Sequence, residues 1–155
     1  MDEKVLGEKI TQIFEETRVV IPGTEVFLAF QLGAVFTEVF QGLPPAYRAI
    51  HIASFVLITV SVVLLVSSAP YHRIREGGRN TERTLRYANR MLLASMFVTA
   101  AGISADVWLV CAIAVSVAAA WCIAAGVWAL AMTLWFLLPY HGRKADGHPA
   151  EHVAG

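Results

Sequence analysis

The sequence predicts an all-α polytopic membrane protein: four transmembrane helices arranged as two hairpins, preceded by a short N-terminal amphipathic helix. Composition is the first observation behind this. Apolar residues make up 57% of the 155 and charged residues only 15%, with a mean hydropathy of +0.59. A water-soluble domain carries roughly half apolar and a quarter charged residues. The second is the run from Met91 to Tyr140, whose one charge is Asp106. It is too long for one helix, which needs about 20 residues to cross the hydrocarbon, so it must fold back on itself. The third is the tripeptide Pro-Tyr-His, which occurs at 70–72 and again at 139–141, each time where an apolar run gives way to basic residues. Proline stops a helix, tyrosine prefers the headgroup level, and histidine and arginine meet the anionic inner leaflet.

The N-terminus has no apolar core followed by a cleavage site, so no secretory signal is expected. Leu6, Ile10, Ile13 and Phe14 recur at helical spacing and predict an amphipathic helix over 3–17 lying along the membrane surface. Pro22 and Gly23 interrupt the pattern. Thr24 is then expected to cap the first span, 24–41, which Gly42, Pro44 and Pro45 stop. That span is short and carries Glu25, Gln31 and Glu38. The second span, 50–69, has only His51 as an ionisable residue, at its edge. A loop over 70–89 follows, then spans over 90–110 and 115–138 and a tail over 139–155. Placing the reversal at Val110 to Val115 leaves Asp106 about one turn inside the boundary. Placing it at "GISAD" instead exposes Asp106 in the turn.

Six arginines, Arg73, Arg75, Arg79, Arg83, Arg86 and Arg90, lie between the second and third spans, and the last hairpin has none. Positive residues favour the inner side, so this loop, both termini and the 139–155 tail are expected in the cytoplasm of a bacterial inner membrane. A formal charge of zero excludes the basic surplus that a nucleic-acid partner requires. Cys111 and Cys122 read as small buried hydrophobes rather than a disulfide or metal pair. An offset of 69 residues superposes the two Pro-Tyr-His copies and brings Glu38 within one position of Asp106. Duplication of a hairpin explains this, and convergent end-capping explains it equally.

Intramembrane acids are the residues most able to carry chemistry, since a carboxylate in hydrocarbon needs a partner, water or a proton. Glu25, just after a capping threonine, is explained by the helix dipole and by pairing with Arg18. Glu38 and Asp106 are expected toward the outer face, with Arg48 and His51 at similar depth and Gln31 seven residues before Glu38 on the same helical face. Gln31, Glu38, His51 and Asp106 form either a path for a proton or cation or an interfacial salt-bridge cluster. A second cluster is expected at the cytoplasmic junction: Glu16, Arg18 and Glu25 with His72 and Arg73, Arg73 bridging to Glu16. His72 and His141 beside repelling arginines do not make a haem or metal site, and no cofactor is expected. On the last helix Trp121, Trp128 and Trp135 recur every seven residues as a stripe. Ala112, Ser116, Ala120 and Ala124 form a small-residue row. Both suit close packing between subunits, the stripe also an apolar ligand.

The stretches Glu16-Thr17-Arg18-Val19 through Pro22-Gly23 and Ala69-Pro70-Tyr71-His72-Arg73 resemble the E-x-R-V-x-x-P-G and A-P-x-x-H-R motifs of small four-helix membrane proteins common in actinobacteria, a family of unknown function. The resemblance covers the first half of the chain in sequence and the second half in hydropathy. It implies no activity, substrate or cofactor, and it puts weight on the cytoplasmic junction. The expected role is a non-catalytic subunit in the lipid bilayer, oligomeric or bound to a larger membrane complex. The alternative is a proton- or cation-coupled transporter or channel using Glu38 and Asp106.

Overall fold

The computed structural model describes residues 3–145. Its elements are α1 (Glu3–Val35), α2 (Glu38–Gly42), α3 (Pro45–Pro70), α4 (Glu82–Ala114), α5 (Val117–Met132) and α6 (Leu138–Ala145). Two π-helical turns extend the run, Tyr71–Arg75 after α3 and Thr133–Leu137 after α5. Among the described residues four helices are long and apolar enough to cross a membrane: Lys4–Val35, Pro45–Arg75, Glu82–Ala114 and Val117–His141. The fold is thus all-α and polytopic, with no strand among the described residues.

Helix α1 corrects two expectations. The stretches 3–17 and 24–41 do not form separate helices, because α1 runs unbroken through Pro22 and ends at Val35, short of 41. Proline removes one intrahelical donor, yet a break at this depth would leave several polar groups bare in hydrocarbon. Thr24 therefore does not cap a helix start. Its hydroxyl donates to the carbonyls of Ile21 (2.7 Å) and Val20 (3.4 Å), one turn back beside the proline. The apolar stripe near the N-terminus is real, with Leu6 and Ile10 buried. It packs on the protein itself: a Cβ on Gly7 would stand 3.1 Å from the Asn80 side chain.

The end of α1 is built by Thr37. Its hydroxyl donates to the Ala34 carbonyl (2.7 Å) and accepts from the Phe40 amide (3.2 Å), closing one helix and capping the next. Pro44 and Pro45 then start α3, proline being tolerated where no intrahelical donor is needed. Thr81 caps α4 and Ser116 caps α5, each accepting from the amide three residues on. The reversal of the second hairpin is at Val115 and Ser116, so Asp106 lies inside α4 and not in a turn. Neither proline of the repeated tripeptide halts its segment. Pro70 passes into the π-turn Tyr71–Arg75 and Pro139 lies within α6, since a turn of wider hydrogen-bonding accommodates a missing donor where a regular helix would be interrupted.

Three helices meet along seams of small polar residues at seven-residue spacing. Thr17, Thr24 and Gln31 on α1 and Ser54, Ser61 and Ser68 on α3 are all buried. Ser95 and Thr99 answer from α4, where the Ser61 hydroxyl lies 2.5 Å from Thr99 Oγ1 and 3.1 Å from the Ser95 carbonyl. Between lipid-surrounded helices no hydrophobic force acts, so close approach and interhelical hydrogen bonds hold the bundle. Gly102 marks the tightest contact. A Cβ there would fall 2.6 Å from Cδ1 of the fully buried Ile58. The chain makes its turn at the arginine-rich end through Gly77 and Gly78, both at positive φ (59° and 78°), which side chains rarely tolerate.

Candidate functional site

Toward the hairpin end, α1, α3 and α4 converge on a polar network. Gln31 on α1 donates through Nε2 to Asp106 Oδ2 on α4 (2.5 Å) and to Ser54 Oγ on α3 (2.8 Å). Ser54 in turn donates to the Gly102 carbonyl (2.8 Å), which the missing side chain of Gly102 leaves accessible. His51, one turn before Ser54, donates from Nε2 to the Gln31 carbonyl (2.9 Å). Phe40 of α2 covers His51 edge-on, ring centroids 5.2 Å apart. The network is thereby closed off at that end. Gln31 Oε1, Arg48 Nε and Trp108 Nε1 are buried and have no hydrogen-bond partner among the described residues.

The expected path Gln31–Glu38–His51–Asp106 is thus brought together in three of its four members. Glu38 stands apart. It is exposed at the first position of α2, beyond the end of α1, so it shares no helical face with Gln31, and no hydrogen bond or ion pair joins it to Asp106 among the described residues. Ser54 and Gly102 were the members that sequence reasoning missed. The signal for Ser54 was present in the serine spacing of α3, which lines one face at every seventh position; Gly102, on α4, had no such signal.

At the arginine-rich end the expected salt-bridge cluster is absent among the described residues. Glu16 accepts from Gln12 Nε2 of its own helix (3.1 Å), and the ion pair within 4 Å is Arg86–Glu82. His72 instead points to Asn80 Oδ1 (3.3 Å) and meets Phe14 edge-on at 5.8 Å. His141 turns back to the Leu137 carbonyl (2.8 Å), so the two histidines have separate partners. Arg18, His72 and Arg73 line a pocket of about 390 Å³ with Ile21, Leu65 and Val66. Glu25 belongs to neither cluster. It is exposed in the middle of α1, seven residues beyond Arg18, and so follows no helix start.

The row Ala112, Ser116, Ala120 and Ala124 is split by the turn. Ala112 lies in the last turn of α4 and Ser116 is the cap of α5, while Ala120 and Ala124 are buried. Trp121 is 64% exposed yet meets Trp108 edge-on at 5.5 Å, and Trp128 meets Phe97 at 6.3 Å. Trp135 sits in the π-turn, which shifts its register from the other two. Cys111 is half-buried and Cys122 exposed. No group of three or more His, Cys, Asp or Glu is arranged to hold a metal among the described residues.

Four membrane-length helices, three of them joined by buried serine, threonine and glutamine contacts and the fourth packed through Ala120 and Ala124, define an all-α polytopic membrane protein. Residues 2–139 match the model of a family of unknown function (DUF6328), and the chain belongs to that family. No curated protein and no solved structure is detectably similar to it.

Proposed function

We propose that the protein is a non-catalytic membrane subunit acting as a homo-oligomer, or as an accessory subunit of a larger complex, in a bacterial inner membrane with both termini cytoplasmic. Orientation rests on the six arginines between the second and third spans. The observation that carries the assembly is Glu25. Thr17 and Ile21 share a pocket with Leu65 and Ser68, and Gln31 bonds to Ser54. Glu25 therefore lies level with about the middle of the apolar run 50–69, and its side chain is exposed. A carboxylate facing acyl chains at mid-depth costs at least about 2.5 kcal/mol, so such residues face other protein or water.

A second copy supplies that cover. Glu25, Ala29 and Gly33 follow one another at four-residue spacing, and a Cβ on Gly33 would meet only open space. Small residues in such a row let another helix approach closely. The apolar windows of α1 and of the last helix are each 11% buried, against 28% for the two central helices, which makes the outer two the free faces.

Cysteine cross-linking in native membranes tests this. With Cys111 and Cys122 replaced by alanine, Ala29→Cys and Gly33→Cys are expected to form disulfide dimers and the inward-facing Thr24→Cys none. Monomers at both outer positions, together with a monomeric mass in mild detergent, would reject the homo-oligomer. Capture of a different membrane protein at those positions would leave the accessory role.

Transport is the second reading, favoured by Asp106 and His51 sharing one network beside the unpaired Gln31 Oε1. Glu38 has no part in it. Proton or cation flux in proteoliposomes that Asp106→Asn abolishes supports this reading. Flux that is absent, or indifferent to that change, removes it.

A further inference from the structure

The pocket at the arginine-rich end has a chemistry of its own. Its lining joins the apolar side chains of Ile21, Leu65 and Val66 to the basic side chains of Arg18, His72 and Arg73. Among the described residues no acidic side chain lines it. Neither arginine has an ion-pair partner within 4 Å among the described residues. The two hydroxyls in the lining are already committed, Thr17 to the Ile13 carbonyl (2.8 Å) and Ser68 to the Leu65 carbonyl (3.1 Å). Two guanidinium groups thus share one mouth without a counter-charge. Guanidinium groups bind phosphate oxygens through paired N–H donors.

The position in the membrane fixes what kind of anion fits. Ile21 and Leu65 lie within the apolar runs of α1 and α3, whereas Arg18 precedes the apolar run within α1 and His72 and Arg73 follow α3 in the π-turn. The pocket therefore straddles hydrocarbon and headgroup levels. The π-turn Tyr71–Arg75 brings His72 and Arg73 to the mouth, and it is fixed by Tyr71 stacking on Tyr87 of α4 at 4.1 Å. Such turns interrupt regular bonding and recur at functional sites.

We propose that this pocket binds an anionic phospholipid of the adjacent leaflet. The phosphate is held between Arg18 and Arg73 with His72 alongside, and the first methylenes lie on Ile21, Leu65 and Val66. At about 390 Å³ the pocket takes the glycerophosphate portion, and the chains continue into the bilayer. The site is independent of the assembly proposed above, since it lies between α1 and α3 of one copy.

Retention of lipid by the purified full-length protein tests it, using native mass spectrometry in mixed micelles of phosphatidylglycerol and phosphatidylcholine. Phosphatidylglycerol is expected to be retained roughly tenfold over phosphatidylcholine. Arg18→Gln with Arg73→Gln should remove the preference, and Arg79→Gln with Arg83→Gln, outside the pocket, should keep it. Ala69→Trp fills the lining without changing charge and should also abolish retention, with helicity by circular dichroism verifying the fold. Equal retention of both lipids, or equal loss with the Arg79 and Arg83 pair, overturns the proposal. So does inorganic phosphate competing fully at millimolar concentration, which would mark a soluble-anion site.

Discussion

Gln31 and Asp106, 75 positions apart in sequence, are joined by a 2.5 Å hydrogen bond in which the amide of α1 donates to the carboxyl of α4. The same amide nitrogen reaches Ser54 of α3, so a single side chain links three helices. The carboxyl inside the membrane is thereby provided with a neutral donor rather than a counter-charge. That arrangement lowers the cost of burying it without requiring a second buried ion.

Removing the donor should harm the bundle more than removing the charge. Gln31→Leu leaves the Asp106 carboxyl and the Ser54 hydroxyl without this partner and is expected to cost about 1–3 kcal/mol. Asp106→Asn keeps the shape and an acceptor oxygen and should cost less. Unfolding in mixed detergent followed by circular dichroism orders the two variants, and the reverse order would mean that the carboxyl is engaged elsewhere.

Gly102 should tolerate no side chain. Its absent Cβ lies against Ile58, which is fully buried, so Gly102→Ala forces α3 and α4 apart. Overpacking of this kind costs roughly 1–3 kcal/mol. The double variant Gly102→Ala with Ile58→Val is expected to recover part of the loss, which a thermal unfolding series would reveal.

Ser61 separates hydrogen bonding from packing. Ser61→Ala loses the contacts to Ser95 and Thr99 yet retains the close approach, and the expected cost is about 0.6 kcal/mol. Ser61→Leu, at a position with no exposed surface, should prevent the helices from docking. Equal tolerance of both would show that this seam opens in the membrane.

Orientation is checked in the turn at the arginine-rich end. Asn80→Cys, in a protein lacking Cys111 and Cys122, should react with an impermeant maleimide in inverted vesicles and resist it in intact cells. Labelling from outside would invert the topology drawn from the arginines.

Hydropathy and spacing in the chain were sufficient for the all-α polytopic class, because the need to satisfy every backbone group in lipid leaves few alternatives. Asp106 and Gln31 stood out for the same reason, as polar side chains where hydrocarbon was expected. Glu38 was misjudged because its seven-residue spacing from Gln31 presupposes an unbroken helix, and Thr37 ends one helix and begins another between them. Glu25 was misjudged in the opposite sense, since Pro22 and Gly23 read as a break and α1 passes through both.

The chain by itself determined its solvent, its helical class and which residues are costly to bury, all of which depend on composition and local period. Only the tertiary structure decided which of them meet: Gln31 with Asp106, Ser54 with Gly102, Arg18 with Arg73 at one mouth, and Glu25 with none of them. The reason is geometric. Depth and partnership across helices depend on register and crossing, and these are set by the summed fit of small side chains along whole seams rather than by any one residue.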